Sequence, residues 1–142
     1  MKIILVGGET LGSVMPLIAV YQKLKEKVNR LEVLWIGASG GPEEKIVKEY
    51  LIDYRTITAG KLRRYFSWRN FFDIFKIFIG FIESFFIILT FKPEIIVGAG
   101  IFLQVPVMWS GKLLNKKILI HQQDRQKSFS NFLCEKIADK IT

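Results

Sequence analysis

The sequence predicts an α/β domain built on an open parallel sheet of about six strands, with helices on both faces. Short apolar runs rich in β-branched residues alternate with amphipathic segments along the 142 residues. Glycine-rich or polar turns follow the first, fourth and fifth of these runs. Because hydrophobic residues make up 50% of the sequence, it can bury the core of one Rossmann-like domain over 1–142.

The first twenty residues set this pattern. Lys2–Val6 is predicted to be a strand, a glycine-rich turn covers 7–13, and apolar periodicity begins at Val14. We expect Ser13 to cap the helix and Pro16 to fall in its first turn, where the missing N–H loses no bond. Such a turn offers unpaired N–H groups and the positive end of the helix dipole to a phosphate. The alternative is a tight strand-to-helix turn without a ligand, and the sequence leaves both open.

The remaining elements continue the alternation. Further strands are predicted at 31–36, 53–58, 94–97, 117–120 and 139–142. Helices are predicted at 14–27, 43–50 and 71–91, from the turn at 98–106 to about 115, and at 128–136. Strands that alternate with helices indicate βαβ units and a parallel sheet.

Three turns are expected to meet at one edge of this sheet. They follow the first, fourth and fifth strands, and ligands of open parallel sheets bind at the carboxyl ends of strands, near a switch in strand order. The first turn reads G-G-x-x-x-G and no acid ends the second strand, so a nicotinamide or flavin cofactor is not expected. His121, the only histidine, is a catalytic candidate, although a structural hydrogen bond is the commoner role at a strand end. Cys134 is predicted to lie in the core.

A basic cluster precedes the longest apolar segment, and the formal net charge is +8. The segment 71–91 is long enough to cross a bilayer, but charges at helical spacing disfavour that. Its polar stripe comprises Asp73, Lys76, Gly80, Glu83 and Ser84. We expect a helix at the membrane surface or one packed against a partner, with ordinary core packing as the alternative. The expected membrane contacts are Lys61, Arg63, Arg64, Arg69, Phe75, Phe78 and Phe85. Nucleic acid is not an expected partner, because the basic residues do not interleave with stacking aromatics.

Several motifs occur together in one order. A G-G-x-T-x-G turn leads to x-V-x-P, then to K-P-E-I-I-V-G-x-G, Pro106, a strand ending H-x-Q, and A-D-K-I. This order resembles the N-terminal domain of the MurG family, glycosyltransferase family 28, whose members have the two-domain GT-B fold. The resemblance implies one half of a peripheral enzyme at the cytoplasmic face of the membrane, which adds GlcNAc from UDP-GlcNAc to a lipid-linked muramoyl-pentapeptide in cell-wall precursor synthesis. It implies no metal and no cofactor, and a C-terminal domain that binds most of the donor and is expected either on a separate chain or missing from this sequence.

The resemblance also assigns residues. Acceptor-diphosphate contacts would come from Gly7, Gly8, Thr10, Gly12, Ser13, Gly98, Gly100 and Gln123. His121 and Asp124 are the candidate catalytic bases. The sequence departs from the family at the first turn, where Ser13 stands in place of a histidine and Glu9 puts a negative charge near the expected diphosphate. A serine hydroxyl cannot accept a proton near neutral pH without its own base. A catalytically degenerate module that tethers a partner or a lipid-linked sugar at the membrane is therefore the alternative function.

Overall fold

The structure is a computed structural model that describes residues 1–58, 68–123, 125 and 128–142. Within these residues the strands are β1 Lys2–Val6, β2 Glu32–Gly37, β3 Asp53–Thr56, β4 Ile95–Gly98, β5 Lys117–Ile120 and β6 Lys140–Ile141. The helices are α1 Leu11–Lys27, α2 Glu43–Glu49, α3 Trp68–Phe91, α4 Gln104–Leu113 and α5 Phe129–Cys134.

The strands form one sheet in the order β3-β2-β1-β4-β5-β6, and every neighbouring pair is parallel. This confirms the predicted Rossmann-like α/β fold. The chain first builds the sheet outward from β1 to β3 and then returns to build β4 on the other side of β1. A ligand crevice is expected at the carboxyl ends of β1 and β4, where the strand order reverses.

Apolar side chains from alternate strand positions pack into two layers, one on each face of the sheet. Ile4 and Ile96 belong to the layer beneath α3, α4 and α5, and Leu5 and Val97 to the layer beneath α1 and α2. Cys134 is buried in the first layer, as predicted, and burial raises the pKa of its thiol to about 12. This thiol therefore stays protonated at neutral pH.

The start of α1 differs from the prediction. Thr10 is the N-cap and the helix begins at Leu11, so the expectation that Ser13 caps it is wrong. Ser13 lies inside the helix, where its hydroxyl donates to the Thr10 carbonyl at 2.9 Å. Pro16 is the sixth helical residue rather than part of the first turn, and the Gly12 carbonyl therefore receives no N–H from one helical turn further on.

Candidate functional site

Three turns lie together at the carboxyl edge of the sheet. The His121 N–H donates to the Gly98 carbonyl at 2.8 Å and joins the third turn to the second. The Gln123 Oε1 lies 3.8 Å from the position that a Cβ on Gly12 would occupy, which places the third turn beside the first. The first turn is taken as residues 7–13, which include the first helical residues of α1, the second as residues 98–103, which begin at the end of β4, and the third as residues 121–123.

A buried carboxylate from α2 supports the first turn. The Glu43 side chain is fully buried and accepts the Ala38 N–H at 3.1 Å and the Glu9 N–H at 3.4 Å. The Tyr54 hydroxyl lies 3.2 Å from the Glu43 Oε1. A methyl group on Gly8 would lie less than 3.0 Å from the same carboxylate. Gly8 therefore allows the backbone of the first turn to pack directly on Glu43.

The Tyr54 hydroxyl shares in this arrangement and also contacts the Ala38 carbonyl at 2.9 Å. Burial and then the negative charge of Glu43 raise the pKa of Tyr54 above its ordinary value. The hydroxyl thus remains a hydrogen-bond donor at neutral pH. Glycine is also required on the far side of the carboxylate, since a methyl group on Gly37 or Gly41 would lie less than 3.0 Å from it.

Two more residues of the predicted acceptor site build the turn itself. A Cβ on Gly7 would lie 2.8 Å from the Leu17 Cδ1, and the Gly7 carbonyl accepts the Trp35 indole N–H at 2.8 Å. The buried Ser13 hydroxyl accepts the Gly8 N–H at 3.2 Å. These contacts support the structural interpretation of Gly7, Gly8 and Ser13 that the sequence left open.

Gly12 is different, because it faces outward from the turn. It is exposed, and the atom nearest to an added Cβ would be the Thr10 Oγ1 at 3.7 Å. The N–H groups of Leu11 and Gly12 belong to the first turn of α1 and have no acceptor within the helix. Thr10, Leu11 and Gly12 therefore form the exposed, outward part of the first turn.

Neutral amides hold the second and third turns together. The fully buried Gln104 accepts the Gly100 N–H at 2.9 Å and donates to the Asn131 side chain, which donates to the Gln122 Oε1. Gly100 has a φ of +87°, which an L side chain rarely adopts. A methyl group on Gly98 would lie less than 3.0 Å from the Gln104 Oε1. Gly98 and Gly100 are thus fixed from inside by one side chain.

The third turn carries His121, one of the two predicted bases. The His121 Nδ1 lies 3.2 Å from the Thr142 Oγ1, and its ring is half-buried at the sheet edge. Asp124 lies outside the described residues. Beyond the turn, Ser128 caps α5 by accepting the Asn131 N–H and donates to the Gly100 carbonyl, each at 3.2 Å.

Most of the polar stripe of α3 faces the protein interior. The Glu83 carboxylate accepts both the backbone N–H and the hydroxyl of Thr58, the latter at 3.1 Å. The Ser84 hydroxyl is buried, and the Ser110 hydroxyl of α4 donates to the Phe81 carbonyl at 2.9 Å. The predicted stripe is therefore mainly a packing surface of this helix, although the Lys76 side chain is exposed and pairs with Asp73 at 3.7 Å.

The opposite side of α3 is apolar and exposed. Phe78 and Phe86 have exposed fractions of 61% and 62%, whereas the predicted contact Phe85 is only half-buried. The exposed apolar residues are Ile74, Phe75, Phe78, Ile79, Ile82, Phe86 and Leu89. By length and composition alone, 73–91 is also apolar enough to cross a membrane, with a mean hydropathy of 2.1. Lys61, Arg63, Arg64 and the Arg69 side chain lie outside the described part of the chain.

Sequence reasoning missed three polar residues that shape the turns and one aromatic residue on α3. Glu43, Gln104 and Asn131 are buried, and their partners are distant in sequence. The only available signal was the pair Gly37 and Gly41 near Glu43. The structure shows that these glycines let the backbone approach the Glu43 carboxylate, which the sequence alone does not indicate. Phe86 was missed because the direction of the α3 stripe was unknown.

The fold and the site define a class, namely a Rossmann-like domain with glycine-bearing turns at the β1–β4 switch, where ligands of open parallel sheets bind. The family model of the glycosyltransferase family 28 N-terminal domain matches residues 3–142. The chain belongs to this family. The predicted resemblance is confirmed at this level.

Individual relatives agree with this assignment. The chain is 42% identical over 141 residues to the UDP-N-acetylglucosamine–N-acetylmuramyl-(pentapeptide) pyrophosphoryl-undecaprenol N-acetylglucosamine transferase of Borrelia hermsii, covering 99% of this chain and 39% of the relative. The enzyme of the same name from Treponema pallidum is 34% identical over 139 residues, with 98% and 36% covered. The crystal structure of MurG from Acinetobacter baumannii superimposes with a TM-score of 0.84 at 21% identity, over 99% of this chain and 40% of that one. The chain thus spans about two-fifths of the length of these relatives.

Proposed function

We propose that this chain is the acceptor-binding, membrane-associating half of a UDP-GlcNAc-dependent glycosyltransferase. The observation that carries the proposal is the meeting of three turns at the carboxyl edge, where the exposed start of α1 contributes the N–H groups of Leu11 and Gly12. The names of the relatives support a lipid-linked muramoyl-pentapeptide as acceptor. The donor would be bound mainly by the part of the relatives that this chain does not span, supplied in the same polypeptide or by a second chain.

In the proposed reaction, an acceptor hydroxyl attacks the anomeric carbon of GlcNAc, the bond from that carbon to the UDP oxygen breaks, and UDP leaves with the electron pair. This chain would hold the acceptor diphosphate at the start of α1, where N–H groups and the helix dipole stabilise negative charge. A base takes the hydroxyl proton. His121 and Asp124 are the candidates, and no metal is part of the proposal.

Acceptor binding can be measured on this chain directly. The probe is a short-chain, water-soluble polyprenyl-diphosphate N-acetylmuramoyl-pentapeptide, titrated against the chain by calorimetry. Gly12→Leu places a bulky group in the crevice and is expected to weaken binding at least tenfold. Gln22→Leu, on an exposed position further along α1, is the matched control and should bind within twofold of the original chain. Absence of binding to the original chain would refute the proposal.

The apolar side of α3 supports a peripheral position at the cytoplasmic face of the membrane. The Glu83 carboxylate and the buried Ser84 hydroxyl lie inside the protein, whereas the apolar side chains on the opposite side of α3 are left largely in water. The basic cluster before the helix would add attraction to anionic lipid. An interfacial helix of this kind places the acceptor crevice on a domain that rests on the bilayer carrying the acceptor.

Vesicle co-sedimentation tests this part of the proposal. Burying a phenylalanine is worth about 1.5–3 kcal/mol, so Phe78→Ser should lower partitioning into anionic vesicles by roughly tenfold or more. Leu51→Ser changes an even more exposed apolar residue away from α3 and should leave partitioning unchanged. Equal loss in both variants would remove α3 from the membrane contact.

The alternative function is a catalytically degenerate module that holds a lipid-linked sugar or a partner at the membrane. It is favoured by Ser13, whose hydroxyl is bonded within the first turn where the family has a histidine. Isolation from native cells with intact-mass measurement separates the two functions. A longer polypeptide, or a stoichiometric second chain that binds a UDP-sugar, would favour the transferase, and a lone chain with bound lipid the module.

A further inference from the structure

We propose that Glu43 is a positioning residue of the acceptor site, whose carboxylate fixes the first turn so that the N–H groups at the start of α1 point into the crevice. The inference rests on the proposed function, since it gives those N–H groups a diphosphate to bind. Glu43 lies on α2, and it reaches the first turn from a different segment of the chain.

The first turn has a conformation that needs support. Glu9 has a φ of +63°, in the left-handed region that few residues other than glycine adopt. The Thr10 N–H donates to the Gly8 carbonyl at 2.7 Å, so the chain reverses within three residues before α1 begins. Strained residues of this kind persist where surrounding groups restrain them. Here the Glu43 carboxylate holds the Glu9 N–H and packs against Gly8.

The two carboxylate oxygens have separate tasks. Oε1 accepts from the Ala38 N–H, in the loop between β2 and α2, and contacts the Tyr54 hydroxyl of β3. Oε2 accepts from the Glu9 N–H of the first turn. One oxygen therefore ties Glu43 to the scaffold and the other ties the turn to Glu43.

A direct role of Glu43 on the ligand is disfavoured by its chemistry and its place. A carboxylate repels a diphosphate, and this one is fully buried on the side where Gly8 would carry a side chain. The outward side of the turn is marked by the exposed Gly12, where an added Cβ would meet only ordinary van der Waals contacts at 3.7 and 3.8 Å. The carboxylate can influence binding only through the backbone that it holds.

Because the two Glu43 oxygens bind different partners, one variant can remove the bond to the turn and keep the bonds to the scaffold. In Glu43→Gln the amide oxygen can keep both scaffold partners, which places the amide NH2 opposite the Glu9 N–H. Two donors then face each other and the bond to the turn is lost. Tyr54→Phe is the matched control, because it removes a partner of the same carboxylate on the scaffold side and leaves the Glu9 bond intact.

The experiment measures two quantities on the full 142-residue chain. The first is the Kd for the short-chain polyprenyl-diphosphate N-acetylmuramoyl-pentapeptide, and the second is the hydrogen-exchange rate of the Glu9 amide by NMR. We expect E43Q to weaken binding at least tenfold and to speed Glu9 exchange at least tenfold. Y54F should leave both quantities within twofold of the original chain, even if its melting temperature falls as far as that of E43Q.

Equal effects of E43Q and Y54F on both quantities would overturn the inference, because they would indicate a general loss of stability. Failure of the original chain to bind the probe would refute the proposed function alone, and the Glu9 exchange rates would then decide the role of Glu43. Should E43Q not fold, Glu43→Asp takes its place, since it keeps the charge but withdraws the carboxylate from the turn. The same two outcomes then apply.

Discussion

The first and second turns are both held by a buried polar side chain, but the two side chains differ in their chemistry. Each brings glycine backbone close to a buried polar side chain, Glu43 beneath Gly8 and Gln104 beneath Gly98. The first side chain is a carboxylate that only accepts hydrogen bonds. The second is a neutral amide that both accepts and donates, and it passes the connection on to Asn131.

The difference explains what each turn is connected to. A carboxylate collects N–H and O–H donors and ends the chain of hydrogen bonds, so Glu43 connects the first turn only to α2, β3 and the loop before α2. An amide continues the chain, and the second turn is thereby joined to the third through Gln122. We expect the second and third turns to move as a unit, and the first to respond separately.

The largest effects should come from filling the space over either buried side chain. Gly8→Ala and Gly98→Ala each force a methyl group against it and should lower the free energy of unfolding by about 3 kcal/mol. Gly12→Ala is the control within the first turn, since its nearest atoms would be 3.7 Å away, and it should cost nothing. Urea unfolding measures all three. A Gly12→Ala loss as large as the others would contradict the asymmetry of the turn.

Truncating the amide should be the next largest effect. Gln104→Ala leaves the Gly100 N–H and the buried Asn131 side chain without their partner, at a cost of about 2 kcal/mol. Chemical shifts should change in both the second and the third turns, but not in the first. Gln123→Ala, at an exposed position of the third turn, should leave stability unchanged. Shifts that spread to the first turn would break the proposed separation.

A smaller effect is expected within the first turn. Ser13→Ala removes the hydroxyl that bonds the Gly8 N–H and should cost about 1 kcal/mol. Thr10→Ala changes the N-cap, whose side chain makes no cap bond, and should cost less than about half of that. Thermal unfolding of the two variants measures which of them loses more stability. A costlier Thr10→Ala would mean that the cap, and not the Ser13 hydroxyl, supports the turn.

The smallest expected effect is a pH dependence of the contact between Tyr54 and Glu43, beneath the first turn. The pKa of Tyr54 is raised in the folded state by burial and by Glu43, so its contribution is present below the unfolded pKa of about 10 and is lost as pH rises beyond it. The stability difference between the original chain and Tyr54→Phe should therefore shrink at alkaline pH. The corresponding difference for Gln104→Ala should stay constant, because amides do not titrate.

Much of the fold could be predicted because it depends on local patterns. The strand β1 and the end of α1 at Lys27 were predicted correctly from apolar periodicity and charge. The start of α1 was predicted wrongly, because Pro16 was expected in the first helical turn. Gly12 and Ser13 in fact adopt helical conformation, and the Ser13 hydroxyl satisfies the backbone around it.

The supports of the candidate site could not be predicted, because they join segments that are distant in sequence. Nothing local to Glu43 indicates that its carboxylate meets a turn 34 residues earlier. The periodicity of α3 predicted a polar stripe, but not that Glu83 and Ser84 in it face the protein. The direction in which the stripe faces depends on which neighbouring residues contact it, here Thr58 and α4. The ligand contacts assigned to the turns stay predictions.

A side chain at position 12 would meet only ordinary van der Waals contacts, so a reporter group can be attached there, beside the expected acceptor site. The sequence has one cysteine, and its buried thiol has a pKa raised to about 12, so it reacts poorly with alkylating dyes at pH 8. Gly12→Cys would add a single reactive thiol at the start of α1, where a side chain has room. A dye attached there would report arrival of an acceptor by a change in emission, without any label on the lipid.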